Sequence, residues 1–142
     1  MKLFFKITLL LTLIFSPWCK ADERDDSFQL FWTEFRAAVM QNDYEQLKRF
    51  TKFPLAVNGV ADFIPVEYIE RKAFKDIFHK LMDQKIHLIH GDDYTLTDMM
   101  DVVSKTEAPL DAKNGDEYRV EQLVFEYIDG RWLFTRAYLD EQ

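Results

Sequence analysis

Two sets of residues have the chemistry and the spacing to act. The first is His87, His90 and Asp92, with Asp93 beside them. Imidazole and carboxylate are the ligands of a three-ligand zinc site with an open fourth position. Residues three apart share a face on a helix and point to opposite faces on a strand. Residues 85–90 read as a strand, which parts His87 from His90. A solvent-facing Gly-Asp-Asp turn accounts for the same residues, so no metal or other cofactor is expected.

The second set is Asp76 and His79. On a helix their spacing puts them on one face. A carboxylate there can hold an imidazole in one tautomer for proton transfer. Lys75 and Lys80 flank the pair, and an exposed, solvated pair fits that setting equally well. Other catalytic signatures are missing. Ser27 and Ser104, the only serines past residue 21, lie outside any Gly-x-Ser-x-Gly turn. The four glycines are too scattered for a phosphate loop.

The elements that must position these groups are legible in part. Asp26 or Ser27 can cap a first helix. Phe28, Phe31, Trp32, Phe35, Ala38 and Val39 recur along it at helical spacing. Asn42-Asp43 ends that helix. Asp43 and Gln46 form a capping box for a second helix over 44–50. Residues 53–57 and 60–64 read as two strands of a hairpin turning at Asn58-Gly59, with Pro54 marking an edge strand or a strand start. A third helix is expected over 68–83, with Ile69, Phe74, Ile77, Phe78 and Leu81 on its apolar side. Residues 92–104 fit neither period, and 106–116 read as a loop.

The C-terminal part is the clearest. Residues 118–128 and 131–139 are strands, joined by Asp129-Gly130 as a type I′ turn requires. On the last strand Trp132, Phe134, Arg136 and Tyr138 alternate onto one face, and Leu133, Ala137 and Leu139 onto the other. Both faces are therefore expected to be covered. Trp132, Phe134, Arg136 and Tyr138 are also residue types enriched in binding hot spots. Phe31, Trp32 and Phe35 can line a ligand cavity or serve as plain core.

The N-terminus has the layout of a secretory signal peptide. Lys2 and Lys6 precede an apolar run over 7–15, and Pro17 follows it. Cys19 and Ala21 place small residues at the −3 and −1 positions of a cut after Ala21. The run is shorter than the roughly 20 residues a membrane span needs. Trp18 before Cys19 disfavours acylation of that cysteine. The expected division is a leader over 1–21 and one α+β domain over 22–142, periplasmic or secreted and without stable membrane insertion after cleavage.

The leader carries three lysines and no acid, so 15 bases remain against 25 acids, a net charge of −10. Cys19 is the only cysteine, so the domain has no disulfide or thiolate site. Strong acidity excludes nucleic acid as a partner. It suits a basic protein, whose approach it would steer.

Taken together, Phe31-Trp32 with Phe35, Asn42-Asp43, Phe53-Pro54-Leu55, Gly59, the helix around 74–78 and Asp129-Gly130-Arg131-Trp132 give a pattern. It resembles the nuclear transport factor 2-like superfamily, the cystatin-like α+β cone, and in particular its secreted bacterial members of unassigned function. That resemblance implies a curved antiparallel sheet wrapped around a long N-terminal helix, with further short helices and a cone-shaped cavity. It also implies frequent homodimers through the outer sheet face. It implies no single activity. A non-enzymatic binding domain is the first expectation, for a small apolar ligand or a protein partner, of inhibitor or immunity type among others. An isomerase- or hydrolase-like enzyme using an acid–base pair in the cavity is the alternative, and a zinc-binding module is a third.

Overall fold

The structure, a computed structural model, describes residues 20–61, 63–90, 93–107 and 115–140, without the side chains of 20–25, 89 and 90. The apolar leader, Cys19 and Asp92 lie outside the described residues. The fold is α+β, with four helices and a curved, mixed sheet of five strands.

Helix α1 (Lys20–Met40) buries Phe28, Phe31, Trp32, Phe35, Ala38 and Val39, the set that the helical spacing selects. Its end is set by Asn42, which takes the left-handed conformation at φ 56°. Asp43 then caps α2 (Tyr44–Phe50), accepting a hydrogen bond from the Gln46 backbone N–H at 2.9 Å. A lost cap of this kind costs about 1 kcal/mol, so this junction is locally specified.

Strand β1 (Thr51–Gly59) runs on through Asn58-Gly59 instead of turning there. Both residues pair with β7 (Arg131–Leu139), opposite Tyr138 and Leu139. Gly59 serves a close approach, since a Cβ there would lie 2.5 Å from Ile64 Cβ. The antiparallel partner of β1 is β2 (Glu67–Ile69), in the register Leu55↔Ile69. Tyr68 is thus a strand residue, and the helical segment starts later. A short 3-10 turn (Arg71–Ala73) leads into α3 (Phe74–Asp83), which buries Phe74, Phe78, Leu81 and Met82. Pro54 lies on an inner strand, between β2 and β7, and not at an edge. It falls within the break in β1–β7 register between Thr51 and Ala56, where regular pairing is already interrupted.

Strands β3 (Lys85–His90) and β4 (Asp93–Asp98) form a separate two-stranded ribbon, and α4 (Met99–Lys105) follows. Gln84 closes the base of this ribbon, because its carbonyl accepts from the Met99 N–H at 3.0 Å. The chain ends with β5 (Glu117–Val120), β6 (Leu123–Ile128) and β7. Asp129 and Gly130, at φ 50° and 82°, make the expected turn.

The sheet order is β2-β1-β7-β6-β5, and β1 is parallel to β7. The sheet is therefore mixed, where a wholly antiparallel one was expected. No hairpin joins β1 to β7, and the long connection between them leaves their relative direction free.

Face assignment on β7 also differs from strict alternation. Val124 pairs with Arg136 while the next residue, Phe125, pairs with Phe134, so Thr135 is an extra residue in β7. This bulge reverses the sidedness beyond it. Trp132, Phe134, Ala137 and Leu139 all join the core, and Arg136 and Tyr138 go to the other face. The core is mostly aromatic. Phe125 lies within 6 Å of the rings of Phe28, Phe31, Trp32, Phe35 and Phe134. Each fully buried ring of this size contributes about 2–3 kcal/mol.

On the outer sheet face, long side chains cover the apolar surface around Val124 and remain partly exposed themselves. Val124 is buried directly between its cross-strand partners Arg119 and Arg136. Arg119 lies over the Tyr138 ring at 4.6 Å, and Arg136 reaches Glu117 at 3.3 Å. The aliphatic stems of long charged side chains can cover apolar surface in this way.

Candidate functional site

A groove of about 430 Å3 opens where α1 and α2 meet the β6–β7 turn. Helix α1 supplies Leu30, Phe31 and Glu34, and α2 supplies Gln46, Arg49 and Phe50. The hairpin supplies Tyr127, Arg131 and Trp132. Each wall follows from local structure. The Asp129-Gly130 turn sets Tyr127 opposite Trp132, and their rings stand 5.2 Å apart. Phe31 and Phe50 meet edge to face at 5.3 Å, which holds α2 against α1. Trp132 is fixed at its polar end, where Nε1–H donates to the Ser27 hydroxyl at 2.9 Å. Leu30 is 65% exposed at the groove, although it adjoins the buried stripe of α1.

Charge in the groove comes from Arg49, Arg131 and Glu34. Arg49 donates through Nε and Nη2 to the side-chain oxygen of Gln46. Among the described residues none of the three enters an ion pair. The neighbouring Glu45 is engaged by Lys48 at 2.9 Å, and that hydrogen bond and charge lower its carboxyl below the ordinary range. The groove can hold an apolar body against aromatic walls and present guanidinium groups beside it. Its one lining serine, Ser27, accepts the hydrogen bond from the Trp132 indole.

A second constellation lies on the far side of α2. The Tyr44 hydroxyl and His79 Nε2 are 2.7 Å apart, and Lys75 Nζ sits over the Tyr44 ring. Partial burial raises the phenol above its ordinary value, and the Asp83 carboxylate adds to the rise. His79 thus pairs with a tyrosine and not with Asp76, which makes no hydrogen bond to it among the described residues. The adjoining pocket, about 20 Å3, has room for roughly one water molecule. It does not admit an organic substrate.

The remaining sequence candidates are dispersed. His87 is exposed on the ribbon, opposite Leu96. His90 pairs with Asp93 in the backbone ladder, but its side chain and Asp92 lie outside the described residues. Among the described residues no group of three metal-binding side chains gathers. Trp32, Phe35 and Phe134 are core. Phe31 and Trp132 are the two of the predicted set that reach the groove. Arg136 and Tyr138 sit on the outer sheet face, parted from Trp132 and Phe134 by the bulge at Thr135.

Sequence reasoning missed Tyr44, Arg49, Phe50, Tyr127 and Arg131. For Tyr127 a signal existed, because a two-residue turn at 129–130 pairs 127 with 132. No comparable signal marks Tyr44, whose partner is 35 residues away. No protein-family model matches the chain, and no match was found among the curated proteins.

Proposed function

We propose that this chain is a non-enzymatic binding domain, and that the groove between α1, α2 and the β6–β7 turn takes a small ligand with an apolar body. The observation that carries this reading is an open space of about 430 Å3 walled by Phe31, Phe50, Tyr127 and Trp132. That volume falls in the range of small-molecule sites, roughly 300–1,000 Å3. The small size of the Tyr44–His79 pocket weighs against the enzyme reading.

The same reading places the protein outside the cytoplasm, exported by the leader over 1–21. It takes the fold as a cone of the nuclear transport factor 2-like kind, the sheet curving around α1. Two further interactions belong to it. One is a basic protein partner, drawn by the excess of 25 acids over 15 bases in residues 22–142. The other is a homodimer through the outer sheet face around Arg136 and Tyr138.

The test is titration with the neutral fluorescent probe N-phenyl-1-naphthylamine. Saturable binding at one site per chain is expected, and Leu30→Trp should change its affinity by narrowing the groove. Leu30 is already mostly exposed, so this change leaves the core intact. Unsaturable binding, or binding unchanged in the Leu30→Trp variant, rules the groove out as the site.

A further inference from the structure

We infer that the ligand of this groove is an amphipathic anion, a carboxylate on an apolar chain or ring, whose head is met by Arg49 and Arg131; this rests on the groove reading above. The chain as a whole is acidic, with 25 acids against 18 bases. The groove reverses that balance, with two arginines to one glutamate. Acidic neighbours are at hand in the sequence, yet neither arginine enters a direct ion pair among the described residues; Arg49 acts on Glu45 only through space, after Lys48. Lys48 takes Glu45, and Asp43 is committed to capping α2. Arg131 follows Asp129-Gly130 directly and has no ion pair among the described residues.

Guanidinium donors match a carboxylate in a planar, two-bond geometry. The Gln46 amide, already bonded to Arg49, steadies one of them at the groove wall. Phe31 and Trp132 supply apolar surface next to these heads. A carboxylate head with an apolar tail therefore satisfies both parts of the site at once. A neutral amphiphile leaves both arginines in water, and a cation meets a net positive wall.

The experiment compares decanoate with decanol, two chains that differ only in the head, by displacement of N-phenyl-1-naphthylamine from the full chain at neutral pH. Decanoate is expected to displace the probe at about tenfold lower concentration, as a charge-assisted pair warrants. The double substitution Arg49→Gln with Arg131→Gln should erase that preference and leave decanol unchanged. Both positions are exposed, so folding is not at stake. Equal displacement by the two ligands overturns the anion inference while the groove reading stands. A preference that survives the double substitution overturns it as well. If the probe itself does not bind, both fail together.

Discussion

The indole N–H of Trp132 and the hydroxyl of Ser27 are 2.9 Å apart, and this bond ties the last strand to the first helix across 105 residues. It anchors the polar end of the Trp132 ring at the groove wall. Ser27→Ala leaves the partly buried indole N–H without this acceptor. The expected loss is about 1 kcal/mol of stability, measured by urea unfolding. Weaker binding of the naphthylamine probe should accompany it. Unchanged stability and unchanged probe binding would show that the wall stands without the anchor.

What could be read ahead of the structure was the local part. The α1 stripe from Phe28 to Val39, the Asp43 cap and the Asp129-Gly130 turn each depend on a few consecutive residues. The misreadings share one cause. Asn58-Gly59 has the composition of a turn, but pairing with Tyr138 and Leu139 holds it extended. Tyr68 looks helical, but the β1 ladder claims it. Thr135 carries no mark of a bulge, and one extra residue moved Ala137 and Leu139 to the core. The groove was illegible for the same reason. Arg49 and Arg131 are brought together by tertiary packing and by no spacing in the chain.

Gln84 is a buried polar side chain with a full set of partners. Its amide donates to the carbonyls of Leu81 and Tyr138, at 3.1 and 3.0 Å, and its carbonyl oxygen accepts from the Asp140 N–H at 3.1 Å. It thereby joins the end of α3 to the end of β7. Gln84→Ala removes three bonds and strands the main-chain groups they served. At about 1 kcal/mol for each bond, a loss of roughly 2–3 kcal/mol is expected, read as a lower midpoint in chemical denaturation. A loss below about 0.5 kcal/mol, the level of an ordinary surface change, would show that water replaces these bonds.

Tyr44 gives the stability a dependence on alkaline pH. Partial burial, then the Asp83 carboxylate, hold its phenol above the ordinary value of 10.0. The folded state therefore keeps this proton more tightly than the unfolded chain does. Its contribution is complete below pH 10 and is lost as pH rises through the folded value. Tyr44→Phe cannot ionise, so its stability should fall less steeply above pH 10 than that of the native chain. At neutral pH the same variant should lose only about 0.5–1 kcal/mol, the share of the His79 hydrogen bond. Parallel curves for the two proteins above pH 10 would assign the alkaline loss to other groups.

The bulge at Thr135 offers the sharpest test of the fold. Deleting this residue restores simple alternation along β7. Trp132, Phe134, Ala137 and Leu139 then keep the core side, Arg136 and Tyr138 keep the outer side, and the pairing with β6 becomes regular. The deletion variant should therefore still fold, with its near-ultraviolet circular dichroism retained, because the set of core side chains is unchanged. Thr135→Val keeps the extra residue and gives up only a weak bond from its hydroxyl to the Val124 carbonyl at 3.4 Å. That variant should stay folded, with a change below about 1 kcal/mol. A deletion variant that loses its native dichroism would mean that the extra residue does more than set which side chains face the core, and that the local bend of the bulge is itself needed by the sheet.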